Sequence, residues 1–289
     1  MTKIACAQYD IGFLETWDNF EDKTRRWVAE AAGQQAEILL FPEYACMELA
    51  SLFSKDIYSS LSAQLDALQI LLPPYLELFR RLAREHQIYI QAGTFPVRHA
   101  SGEYRNHAYL FHPAGQVDYQ EKLTMTRFEN EQWGIARGHD IKIFDTAFGK
   151  IAINICYDSE FPLYARQQVA AGANLILATS CTDTQAGYYR VRIGCQARAL
   201  ENQCYVAQAS LVGDAPWSEA VDVNRGAAAV YTPVDRGFPD NGILTIGEYN
   251  QVQWVYADLD FAKIEKVRHE GQVFNYKDWD KQYDALLQA

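Results

Sequence analysis

Cys156 ends an apolar run, KIAINIC, and stands a few residues before a helix that opens at Pro162. A strand–turn–helix placement of this kind resembles a nucleophile elbow. A thiol there projects from the end of a sheet, close to backbone N–H groups that can hold an oxyanion. The same position also suits a buried structural cysteine, since free cysteine is among the most buried residue types. Of the other cysteines, Cys6 and Cys204 lie inside apolar runs and read as core. Cys195 falls on a helix, and Cys46 and Cys181 follow strand ends, where they are placed to border a pocket.

A cysteine nucleophile needs a base. The six histidines, His86, His99, His107, His112, His139 and His269, show no spacing that demands a role. No His-Glu-x-x-His or related ligand pattern appears, so the spacing predicts no metal site. Carboxylates offer another base. Glu43 follows ILLFP, at the carboxyl end of a short buried strand, where sites in α/β folds are usually built. Lys122 ends the second strand of a hairpin over residues 104–121. Taken singly, Glu43 also reads as a solvated turn residue and Lys122 as an exposed strand end.

The elements around these residues alternate in type. Residues 3–9 and 37–41 are short apolar strands separated by a helix with Phe20, Trp27, Val28 and Ala31 on one face. Asp18 and Glu21 suggest a capping box at its start, and Gly33 can end it. Pro73-Pro74 opens a second helix, followed by a strand at 88–93 and the hairpin turning at Pro113-Ala114-Gly115. A strand at 150–156, a helix at 162–172, a strand at 174–178, a helix at 187–202 and a strand at 204–211 come next. Residues 226–258 read mostly as strands with glycine-bearing turns. The mixture predicts a layered α/β sheet, and a sheet with helices on one face needs a second sheet on the other.

The chain has 289 residues, with 26 Lys+Arg against 37 Asp+Glu, and a net charge of −11 makes it a poor partner for nucleic acid. No apolar run approaches the ~18–20 residues of a membrane span, and the start lacks a signal-peptide layout. Six cysteines without a Cys-x-x-Cys pair point to a reducing, cytoplasmic setting. Neither repeats nor a linker divide the chain, so residues 1–289 read as one domain, with about the last 25 residues as a tail or oligomer-contact segment.

Three segments change the weight of the individual residues: ILLFPEY (38–44), YQEKLTMTRFE (119–129) and INICYDSEFP (153–162). Their order and spacing resemble the nitrilase, or carbon–nitrogen hydrolase, superfamily, and ARALENQCYV (197–206) adds a fourth matching pattern. The resemblance runs from the first strand to about residue 260. It implies a Glu–Lys–Cys triad: Glu43 as general base, Lys122 as electrostatic stabiliser and Cys156 as nucleophile, with the backbone N–H of Tyr157 at the oxyanion. It implies a supporting glutamate, for which Glu129 is preferred to Glu131 because Arg127-Phe128 precedes it. A lysine beside the thiol is expected to lower its pKa. Tyr44, Ser180 and Cys181 are expected in the substrate pocket. Arg190 and Arg192 read either as anion contacts or as a solvated helix face.

The resemblance further implies a four-layer αββα sandwich, a homodimer or larger homo-oligomer, and no cofactor or metal. Its activity is hydrolysis of a small linear amide or N-carbamoyl compound through a cysteine thioester, releasing ammonia or an amine. Nitrile hydrolysis, acyl transfer from the same thioester, and a non-catalytic binding protein are the alternatives. Cys156-Tyr157-Asp158 resembles the amidase branches, whereas nitrile-cleaving members usually carry Cys-Trp-Glu. Glu160 and Leu163 stand where many relatives have Arg and Glu, which argues against acidic substrates. The pattern as a whole resembles a bacterial-type subgroup, some of whose members are fused to an N-acetyltransferase domain.

Overall fold

The computed structural model describes residues 1–286. Its first half comprises β1 (Thr2–Asp10), α1 (Trp17–Gly33), β2 (Ile38–Phe41), a 3-10 helix at Ala45–Leu52, α2 (Lys55–Tyr58), α3 (Leu61–Leu68), α4 (Leu72–His86), β3 (Tyr89–Arg98), β4 (Tyr104–Phe111) and β5 (Val117–Glu121). The short strands β6 (Ile135–Ala136) and β7 (Phe144–Thr146) lead to β8 (Gly149–Ile155), α5 (Pro162–Ala170), β9 (Ala173–Ser180), α6 (Gln185–Asn202) and β10 (Tyr205–Asp214). After these come β11 (Val223–Asn224), β12 (Ala229–Tyr231), β13 (Ile243–Ile246), β14 (Gln253–Leu259), α7 (Phe261–Glu270), α8 (Asn275–Asp278) and α9 (Lys281–Leu286).

Strand side chains alternate between two faces, and here each face meets a different layer. One sheet runs β5–β4–β3–β2–β1–β14 and the other β7–β8–β9–β10–β12–β13. They join where Gln8–Asp10 of β1 runs parallel to Ser210–Val212 of β10. Ile4, Cys6, Ile38 and Leu40 of the first sheet pack with Ile153, Ile155, Leu175 and Leu177 of the second in a central core. The alternate residues Ala5, Leu39, Phe41 and Ile90 face outward onto Phe20, Val28, Phe79 and Leu82 of α1 and α4. On the other side, Ala152, Ile176 and Ala178 meet Ala165, Val169, Val191 and Cys195 of α5 and α6. Helix, sheet, sheet and helix thus form the four layers expected from the sequence.

Several local expectations shift. Thr16, extended at φ −140, caps α1; its hydroxyl accepts from Asn19 N and the Asn19 side chain accepts from Thr16 N, both at 3.2 Å. The proposed Asp18/Glu21 box therefore begins two residues late, and Glu21 instead pairs with Arg25 and Arg81. Residues 45–71 hold three short helical pieces and one further 3-10 turn that the sequence pattern did not signal. In the stretch 226–258, only β12, β13 and β14 pair, with loops between them. Within the last 25 residues, the expected tail, α7 buries Val267 and Arg268. Residues 287–289 of that tail lie outside the described residues. No described helix is long and apolar enough to cross a membrane.

Candidate active site

Three strand ends deliver the three chemically interesting side chains to one place. Glu43 follows β2 after Pro42, Lys122 directly follows β5, and Cys156 directly follows β8. Gly93 lets β3 pass close to the Pro42 turn, because a Cβ there would sit 2.2 Å from the Pro42 carbonyl oxygen. Cys156 and Tyr44 both adopt left-handed backbone, with φ of 48 and 57. For non-glycine residues such a conformation costs ~1–3 kcal/mol and persists only where the surroundings enforce it. It turns the Cys156 side chain off the strand line, as the elbow reading of the sequence requires.

Lys122 is the hub. Its Nζ lies 2.8 Å from Glu43 Oε1 and 2.7 and 2.6 Å from the two Glu129 oxygens, and all three residues are almost fully buried. Glu43 Oε1 also accepts from Asn106 Nδ2 at 3.0 Å, and Oε2 from the Cys181 N–H at 3.2 Å. Glu129 accepts from the Tyr44 hydroxyl at 2.6 Å and from Thr126 N and Oγ1 at 2.9 Å each. The Cys156 thiol donates to the Cys181 carbonyl at 3.5 Å. Asp158, buried below, accepts from Leu123 N at 3.1 Å and Thr124 N at 2.8 Å, tying the loop after Lys122 to the turn after Cys156.

Burial sets the protonation balance. It pushes Glu43 up to about 7 even though Lys122 pulls the other way. Burial alone would raise Glu129 too, but Lys122, Tyr44 and the Thr126 N–H hold it below the ordinary carboxylate range. Lys122 loses hydration, yet Glu129 and Glu43 keep its ammonium charged, with a pKa well above the usual lysine value. For Cys156, burial and then the Glu43 charge lift the thiol well above its ordinary value, and Lys122 offsets only part of this. Lys122 thus lowers the thiol pKa as the sequence leads one to expect, but burial outweighs it.

These residues line a cavity of about 840 Å³, together with Tyr44, Phe128, Trp133, Tyr157, Cys181 and Val191. Glu129, rather than Glu131, meets the lysine; Glu131 is exposed and pairs with Arg127 at 2.9 Å. Ser180 departs from the expectation. It is buried, its hydroxyl donates to the Ala209 carbonyl at 2.7 Å, and it lies outside the cavity lining. The period of two explains this: the residue before a lining position faces the opposite side of the strand. Glu160 lines the cavity and lies 3.7 Å from Arg190, which also lines it, whereas Arg192 rests on the Tyr189 ring.

Sequence reasoning missed Asn106, Thr126 and the stapling role of Asp158. A signal existed for Asn106: it shares the strand face of Ala108 and Leu110, so it is a polar residue at a core-facing position. For Thr126 we find no comparable signal.

Comparisons with known proteins bear on this geometry. The carbon–nitrogen hydrolase family model matches residues 3–269. A probable hydrolase of Bacillus subtilis (strain 168), YhcX, is 34% identical over 276 residues, covering 96% of this chain and 53% of the relative. The chain therefore spans about half the length of that relative. The 2-oxoglutaramate amidase of the same organism is 25% identical over 280 residues, covering 94% of this chain and 96% of the relative. Among solved structures, a carbon–nitrogen hydrolase from Helicobacter pylori G27 superposes with a TM-score of 0.78 at 16% identity, covering 100% of this chain and 98% of that one. That likeness shows a shared fold.

Proposed function

The chain belongs to the carbon–nitrogen hydrolase family, and from that premise we propose that it hydrolyses the C–N bond of a small linear amide or N-carbamoyl compound through a thioester on Cys156. The observation that carries this reading is one lysine ammonium held between two buried carboxylates on the wall of the cavity that Cys156 also lines.

Each step follows from a named group. Glu43 takes the thiol proton as the sulfur attacks the carbonyl carbon. The carbonyl oxygen gains the electron pair and is held by the Lys122 ammonium and the Tyr157 N–H. An oxyanion donor of this kind is typically worth ~3–4 kcal/mol. The C–N bond then breaks, and the Glu43 carboxylic acid returns its proton to the departing amine or ammonia. Water, deprotonated by Glu43, attacks the thioester carbon, and the thiol leaves with that proton. A base poised at about 7 suits both halves of this cycle near neutrality. Glu129, locked by Tyr44 and Thr126, fixes the lysine and stays ionised.

The rim supports a view of substrate charge. Glu160, Asp183, Glu219 and Asp222 line the cavity against Arg127 and Arg190. That excess of carboxylates favours neutral or cationic amides over carboxylate-bearing ones. The test is ammonia or amine release from a panel of neutral, cationic and acidic amides, N-carbamoyl amines and nitriles, with wild type beside Cys156→Ala. Release that vanishes in the variant is expected for a neutral or cationic amide. Release from nitriles alone, or release that survives in Cys156→Ala, would overturn the reading.

A further inference from the structure

His99, His107 and Glu121 bring three potential ligand atoms together on the β3–β4–β5 edge, and none of the three lines the cavity. We propose that they form a site for one divalent transition-metal ion of the zinc type, held by the Nε2 atoms of both histidines and one oxygen of Glu121, with water in the fourth position.

Geometry carries the argument. The two Nε2 atoms are 2.9 Å apart, and Glu121 Oε1 lies 3.3 Å from that of His99 and 3.5 Å from that of His107. A tetrahedral ion with bonds of ~2.0–2.1 Å needs its ligand atoms about 3.3–3.4 Å apart. The triangle is therefore close to one face of such a tetrahedron. Two imidazoles and a carboxylate are a donor set that zinc accepts.

The fold holds all three ligands in place. His107 and Glu121 are a cross-strand pair in the β4–β5 register. The His107 ring stacks on Tyr119 at 4.4 Å and 7°, which fixes its plane. His99 sits in the β3–β4 turn, where its N–H donates to the Glu103 carbonyl at 2.8 Å. Arg105 lies 3.3 Å from Glu121 and 3.5 Å from Glu103, and Lys142 sits 3.6 Å over the Tyr119 ring, so two carboxylates balance the two cations nearest the site. The His99 side chain is 24% exposed, which opens a route for the ion and its water.

The site has a structural consequence. Asn106 and Lys122, the next residues along β4 and β5, face the catalytic cavity side, and the Lys122 N–H donates to the Asn106 carbonyl at 2.9 Å. An ion bridging His107 and Glu121 would clasp the two strands at the point from which both side chains emerge.

The test uses the untagged full chain, stripped with a chelator and titrated with Zn²⁺ by calorimetry and with Co²⁺ by visible absorption. One equivalent should bind, raise the melting temperature, and give weak tetrahedral Co²⁺ bands without a near-ultraviolet thiolate band. His99→Ala, altered at a partly exposed turn position, should weaken binding roughly 100-fold and abolish those bands; Glu121→Gln should do the same. No binding, binding unchanged in both variants, or a thiolate band that moves the ion to Cys156 and Cys181 would overturn the proposal.

Discussion

Two lysine–glutamate pairs in this molecule, each with a fully buried carboxylate, look alike in distance and differ in what lies beside them. Lys23 Nζ lies 2.7 Å from Glu48 Oε2, and Lys122 Nζ lies 2.8 Å from Glu43 Oε1. Around Glu48 the bonds close: the Tyr9 hydroxyl and the Gly12 N–H also donate to it, and Lys23 reaches the Asp10 carbonyl as well. That cluster clasps β1, α1 and the 3-10 helix at Ala45–Leu52, and no cavity residue belongs to it. Around Lys122, two carboxylates and a thiol share one cation, and a cavity of about 840 Å³ opens beside them. A buried ion pair alone is thus no sign of chemistry. A cavity large enough to hold a reactant, opening beside the charged groups, is.

The largest expected effect breaks the cavity side alone. Cys156→Ala should reduce amide hydrolysis by ~10⁴-fold or more, as loss of a nucleophile does, while circular dichroism stays native. Next, Glu43→Gln should cost roughly 10³-fold in kcat, within the range of a lost general base. The matched change Glu48→Gln should leave kcat near wild type and lower unfolding stability by about 2–3 kcal/mol, since it weakens a buried pair. Equal kinetic losses in the two variants would erase the distinction. Lys122→Met should also be costly in stability, about 3–5 kcal/mol in denaturant melts, because it strands two buried carboxylates.

A pH series sharpens the same contrast. Glu43 must be ionised to act, so kcat/KM should fall about tenfold per unit below pH ~7. Stability should move the opposite way. Glu43 is raised to about 7 when folded, against ~4.3 unfolded, so the folded chain binds more protons between these values and stability falls as pH rises through that window. Glu43→Gln should remove that part of the slope. Cys156 alkylation should keep accelerating above pH 9 instead of levelling off below it, given the raised thiol. The smallest effect belongs to Tyr44→Phe. Losing one hydrogen bond to Glu129 should cost about 1–1.4 kcal/mol, read as a roughly five- to tenfold drop in kcat.

Strand ends were legible because their signals are local. The apolar runs before Glu43 and Cys156, and the hairpin before Lys122, mark where a chain leaves a sheet. Side-chain identity at those ends matched one family pattern, and the αββα layering came with it. Less was legible where a contact depends on two distant segments. Ser180 faces the core through a one-residue phase that the run ANLILATS does not fix. The capping role of Thr16 turns on one backbone angle. The pairing of His99 and His107 is invisible as spacing, since a turn folds one imidazole onto the other.

By itself, the sequence determined which groups stand at the strand ends and in what order, since periodicity and residue type act within a few positions. Tertiary structure decided their protonation. Lys122 and Glu43 are 79 positions apart, and only packing removes the water that would have kept the glutamate and the thiol near their ordinary values. Desolvation depends on everything that surrounds a group, and no short stretch of chain carries that information.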